Sequence, residues 1–145
     1  IMMAVGSKNH ARVAQAIATA SSGRLDFARC AVTGSELAIE IGEDIRYPDV
    51  LVERMDDRGD ERSTEDPVLA CEVLSPTSLE TDFEDKPAEY TSLSSLQYYI
   101  IAAQDEPTVW LWARGVDGRF STTAKKKTTA CKRLSTCRCS ACRCL

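Results

Sequence analysis

The residues predict an α/β or α+β domain built on one central sheet, because patterned segments follow in the order helix, several strands, helix, two strands. Two observations carry that prediction. The run "VLACEVL" at 68–74 is nearly all apolar, as a strand covered on both faces must be. The β-rich segments "LQYYIIAAQ" (96–104) and "TVWLWAR" (108–114) are joined by only Asp105, Glu106 and Pro107, which predicts an antiparallel hairpin. A chain of 145 residues is about one domain and can bury a core without staples.

Taken in order, "NHARVAQAIATA" at 9–20 sets Val13 with Ile17 and Ala16 with Ala20 at helical spacing, after a capping-type Asn9 and before Ser21-Ser22-Gly23. "RCAVT" at 29–33 predicts a short strand, Gly34-Ser35 a turn, and "ELAIEI" at 36–41 a strand with alternating Leu37, Ile39 and Ile41 that ends at Gly42-Glu43-Asp44. In "RYPDVLVE" at 46–53, Val50 and Val52 face one way and Asp49, Leu51 and Glu53 the other. Pro48 is tolerated because it opens that strand. Nine of the fourteen residues from 54 to 67 are charged, which predicts a solvated loop. Ser75-Pro76-Thr77 ends the apolar strand, and the polar segment to about residue 95 reads as mostly helical. Trp110 and Trp112 alternate with apolar residues and are expected to pack.

Hydrophobic residues make up 43% and charged residues 28%, ordinary values for a globular protein. No apolar run approaches the roughly 20 residues that span a bilayer, and the N-terminus lacks the plan of a signal peptide. Ile1-Met2-Met3 resembles the middle of a strand, so an upstream segment is expected. The net charge of −4 hides a division: seven of the 18 basic residues and none of the 22 acids lie in 121–145, leaving 1–120 at −11. An acidic body disfavours non-specific nucleic-acid binding, which is mostly phosphate neutralisation. Cys30 and Cys71 sit in apolar contexts and read as inert core thiols. No cysteine spacing in the body predicts a disulfide framework, which places it in a reducing cytoplasm.

Three polar residues resist this bland pattern. Glu72 lies inside the apolar strand and Asp49 opens another; if the two strands are neighbours, their carboxylates meet at one edge of the sheet. An ionised carboxylate in apolar surroundings costs several kcal/mol unless a counter-charge or metal compensates it. A divalent cation would hold both ionised, and oxygen-only ligation favours Mg²⁺ or Mn²⁺. Lys86 adds a third charge that can orient or activate water, or stabilise charge developing on a phosphoryl group. Asp82, Lys86 and Tyr90 are spaced four apart, so an uninterrupted helix would align them on one face. Pro87, directly after Lys86, predicts a break at that point. Taken singly, Asp49 reads as a turn residue, Glu72 as half of a structural ion pair, Lys86 as a solvated charge, and His10 as a helix residue without chemistry.

From His10 to Phe120 the order and spacing of "RYPDVLV", "EVLSP", Asp82, Lys86, Tyr90, "YYIIAAQD" and "VWLWAR" resemble the Uma-two family, restriction endonucleases of the PD-(D/E)XK superfamily. The resemblance implies a restriction endonuclease-like fold, a mixed central β-sheet flanked by α-helices. It also implies that Asp49 and Glu72 bind a catalytic Mg²⁺ or Mn²⁺, that Lys86 assists the attacking water, and that Asp82, Tyr90 and His10 support them. The Lys usual two residues after the second acid is replaced by Leu74, and Lys86 matches the alternative place on the following helix. The implied activity is Mg²⁺-dependent hydrolysis of DNA, with a homodimer as a possible assembly and no membrane partner. The rival reading, supported by the acidic body and Pro87, is an inactive nuclease-fold module that binds or serves a structural role.

One nuclease-like domain is thus expected over 1–120, followed by an unstructured or poorly packed tail at 121–145. The Arg, Cys, Ser, Thr and Ala bias of that tail is read first as out-of-frame translation. The spacing of Cys137, Cys139, Cys142 and Cys144 fits a soft-metal site as an alternative, and the basic run a nucleic-acid arm.

Overall fold

The structure, a computed structural model, describes residues 6–26, 29–55, 59–74, 83 and 85–121, and the backbone of 125–128. Its elements are α1 (Lys8–Ser22), β1 (Cys30–Thr33), β2 (Ala38–Ile41), β3 (Asp44–Arg46), β4 (Val50–Arg54), β5 (Ser63–Thr64), β6 (Pro67–Leu74), α2 (Lys86–Ser92), β7 (Tyr98–Ala103), β8 (Thr108–Ala113) and β9 (Lys125–Thr128). Six strands form the main sheet in the order β1-β4-β6-β7-β8-β9, and β3-β2-β5 form a small second sheet. Every pairing in the main sheet is antiparallel except β6 with β7. A parallel pair needs a crossover connection, and α2 lies on it.

All eight residues of β6 are buried, as its apolar run requires. Alternation along β4 divides the core: Val50 and Val52 join Cys71 in one cluster, against which Ala14, Ile17 and Ala18 of α1 pack. Leu51 joins Ala70, Leu74, Tyr90, Tyr99 and Ile101 on the opposite face, under α2 and Ile39 of the small sheet. The expected faces of β4 are therefore correct, and each is covered. Cys30 and Cys71 are free and buried, and burial pushes the Cys71 thiol well up. Trp112 packs in the core, and Trp110 meets Phe83 edge-on at 4.9 Å.

Three expectations need correction, and one feature was not foreseen. The expected central sheet forms, but beside it β2 turns back through Gly42, at φ 64°, into β3 and takes the two-residue β5 from the charged segment as its other neighbour. Two- and three-residue strands are too short to leave a periodic signal. The cap of α1 is Ser7, not Asn9: His10 N–H donates to Ser7 Oγ at 3.1 Å. The described helix around Lys86 is not one run from Asp82 to Tyr90. It begins at Lys86 with Asp85 as its cap, so Pro87 falls in the first turn, where a missing N–H breaks no helical bond. Lastly, Lys125–Thr128 adds β9 to the edge of β8, although the tail was expected to be unstructured or poorly packed. Edge pairing uses backbone groups and does not require apolar side chains, and lysines are common on such edges. The five tail cysteines, Cys131 and the four of the spaced cluster, lie outside the described residues, as does Asp82. Among the described residues no helix is long and apolar enough to cross a membrane.

Candidate active site

Register brings the two acids together. Val50 pairs with Cys71 in the antiparallel β4–β6 ladder, so the preceding residue, Asp49, stands opposite Glu72. The tie is direct, since the N–H of Val73 donates to Asp49 Oδ2 at 2.7 Å. Pro48, fully buried, fixes the chain just before this point. Glu72 lies towards the carboxyl end of β6, beside its parallel neighbour β7. Crevices at the carboxyl ends of parallel strands are where α/β sheets bind ligands.

Helices supply the partners. Lys86, the first residue of α2, sets Nζ 3.2 Å from Glu72 Oε1. One turn later the Tyr90 hydroxyl donates to the same oxygen at 2.9 Å. Tyr90 is itself held by stacking on Tyr99, with centroids 4.6 Å apart. From the other face of the sheet, His10 Nε2 comes within 3.1 Å of Asp49 Oδ2. The α1 cap is anchored there too, because Ser7 Oγ donates to Gln104 Oε1 just past β7.

Electrostatics marks Glu72 as the unsettled member. Only 7% of the residue is exposed, and burial raises its pKa above the ordinary carboxylate value. Lys86 and the Tyr90 hydrogen bond pull it down and Asp49 pushes it up, but desolvation wins. Tyr90 is raised as well, by burial and by the Glu72 charge beside it, so its hydroxyl stays a donor.

Of the residues singled out in the sequence, Asp49, Glu72, Lys86, Tyr90 and His10 converge. The structure adds a pair that spacing did not reveal. Arg46 of β3 grips Glu89 of α2 through Nε at 2.7 Å and Nη2 at 2.8 Å, clamping the helix three residues beyond Lys86. The available signal was Arg46 itself, at the head of "RYPDV", but its partner lies 43 residues away.

The donor set suits a hard cation. Among the described residues the hydrogen bonds to the two acids fall on Asp49 Oδ2 and Glu72 Oε1, leaving one oxygen of each carboxylate without a partner. Among the same residues no three or more His, Cys, Asp or Glu side chains are arranged to hold a metal ion by themselves, so protein ligation would come from the two acids. Two carboxylates with the remaining positions open to water or phosphate oxygens is the pattern Mg²⁺ takes.

Comparison with known proteins agrees with this architecture. The model of the Uma2 family, described as "Putative restriction endonuclease", matches residues 1–131, eleven residues beyond the expected limit at Phe120. Uncharacterized protein slr1290 of Synechocystis sp. (strain ATCC 27184 / PCC 6803 / Kazusa) is 32% identical over 121 residues. That alignment covers 80% of this chain and 63% of the relative, so the chain spans less than two thirds of that protein's length. The crystal structure of a putative nuclease belonging to DUF820 from Anabaena variabilis ATCC 29413 superposes with a TM-score of 0.70 at 16% identity, covering 89% of this chain and 72% of that one. At that identity the likeness speaks for the fold, a mixed α/β sheet flanked by helices. With nearly the whole chain matched by the family model, the protein belongs to the Uma2 family.

Proposed function

We propose that the protein is a Mg²⁺-dependent endonuclease that hydrolyses DNA phosphodiester bonds. The observation that carries this reading is the opposition of Asp49 and Glu72 on adjacent strands, with Lys86 Nζ 3.2 Å from Glu72 Oε1. Asp49 and Glu72 would hold the cation, Mg²⁺ or Mn²⁺. A bound Mg²⁺ supplies Lewis acidity and neutralises phosphoryl charge.

The chain's own residues do the rest. Val73 N–H and His10 fix the orientation of Asp49, and Tyr90 fixes that of Glu72. Lys86 presents an ammonium group at the acid pair, where it can orient the attacking water or stabilise charge on the phosphoryl oxygens. Burial of Glu72 keeps competing water from its inner side. The deciding experiment incubates the full chain with DNA in Mg²⁺ and in EDTA, beside Glu72→Ala. Cleavage is expected only from the unaltered protein in Mg²⁺; equal activity from both proteins would remove the assignment.

The acidity of residues 1–120 favours a second reading, a nuclease fold that binds without cutting. A ligand that binds only the folded state raises its melting temperature. Millimolar Mg²⁺ and Mn²⁺ should raise it for the nuclease, and no effect of either favours the second reading.

A further inference from the structure

Ile45 and Tyr47 are 55% and 59% exposed, although both are large and apolar over most of their surface. Singly, such residues need no explanation. These two lie two positions apart and lead directly into the site: Tyr47 precedes Asp49 by two residues, and Pro48 between them is fully buried. The segment is held from several sides. Ile45 pairs with Glu40 across the β2–β3 hairpin, and Arg46, between Ile45 and Tyr47, donates from Nε and Nη2 to Glu89 on the helix that carries Lys86. Two exposed apolar side chains thus sit on the anchored segment that leads into Asp49.

Charge narrows what can cover it. Residues 1–120 carry 11 basic against 22 acidic groups, a poor surface for gripping a duplex through its phosphates. Stacking on an aromatic or aliphatic side chain needs no charge, because every base has an apolar π-face. Base faces are hidden inside an intact duplex and are presented by a single strand, a loop or a frayed end. We propose that Ile45 and Tyr47 form a stacking platform for an unpaired nucleobase next to the scissile phosphate, so that the substrate class is single-stranded or locally unpaired DNA. The proposal rests on the nuclease reading for the scissile phosphate, while the platform itself is tested by binding.

The test uses the full chain and three oligonucleotides of one sequence: single-stranded, fully duplex, and duplex with a central unpaired bubble. Cleavage is followed in Mg²⁺, and binding of fluorescently labelled forms in EDTA. The unaltered protein should cut and bind the single strand and the bubble at least tenfold better than the duplex. Tyr47→Ala should weaken single-strand binding about tenfold, Ile45→Ala less, and Tyr47→Phe hardly at all, since the ring does the stacking. Both positions are exposed, so melting temperatures should not move. Cleavage that prefers the duplex, or single-strand binding indifferent to Tyr47→Ala, overturns the platform and leaves the nuclease reading intact. If no DNA is cut, the nuclease reading falls, and the binding series still decides the platform: retained Tyr47-dependent single-strand binding supports it, and its absence overturns it.

Discussion

Among the described residues helix α2 makes two ion pairs with the sheets, and burial gives them opposite outcomes. At Arg46–Glu89 the side chains are 33% and 26% exposed, and two short parallel hydrogen bonds lower the Glu89 pKa and raise that of Arg46. Attraction wins there because water still reaches both groups and desolvation is the smaller effect. At Lys86–Glu72 the exposures are 22% and 10%, and the carboxylate pKa rises despite an ammonium at 3.2 Å and a tyrosine hydrogen bond. A nearby opposite charge therefore does not by itself satisfy a buried carboxylate. The first pair is a clamp that fixes the helix; the second leaves Glu72, opposite Asp49, with burial only partly offset by its partners.

The largest break in this contrast is expected from Lys86→Met. Removing one partner of a buried pair strands the other, at a cost of about 3 kcal/mol at pH 8 if Glu72 stays ionised. Lowering the pH should recover much of the loss, because protonated Glu72 no longer needs a cation. Urea melts at pH 8 and pH 5 check this, and an equal loss at both would mean that Lys86 stabilises by packing alone.

Glu72→Gln should act in the opposite direction. A carboxyl whose folded pKa lies above its unfolded value binds more protons when folded. The unaltered protein therefore loses stability as pH rises from the unfolded value towards the raised folded one, and the whole cost is present above it. The amide mimics the neutral form, so the metal-free variant should melt higher at pH 8 by roughly 2–4 °C, the shift that 1 kcal/mol gives a chain of this size. The gain should vanish near pH 4. A lower melting temperature at pH 8 would show that the pair with Lys86 outweighs desolvation.

The smallest effect belongs to the clamp. A double-mutant cycle with Arg46→Ala and Glu89→Ala should return about 0.5–1 kcal/mol of coupling, falling as salt is added. The Glu89 pKa is depressed, so this contribution is present at neutral pH and is lost as pH falls through the acid range. Coupling that ignores both salt and acid would contradict an electrostatic clamp.

Much of this was legible in the residues. Helix α1, the buried β6 and the β7–β8 hairpin carry strong periodic or apolar signals, and Glu72 announced itself as a charge inside an apolar run. Asp49 and His10 were visible only as pieces of a pattern, because neither is unusual in its local setting. Strand β2 was legible from its alternation, but its partners β3 and β5 were not, since strands of two or three residues hold too little periodicity. Pro87 misled for a definable reason: its effect depends on whether it falls inside a helix or in the first turn, and spacing alone does not fix a helix start.

Which segments must be buried, and which polar residues would be costly there, follow from side-chain chemistry and short-range period, and both are written in the residues. The folded chain alone reveals that Asp49 faces Glu72, that α2 starts at Lys86, that Arg46 reaches Glu89 and that 125–128 extends the sheet. Those are long-range pairings, and register between strands and the seating of a helix are set by packing the whole core at once.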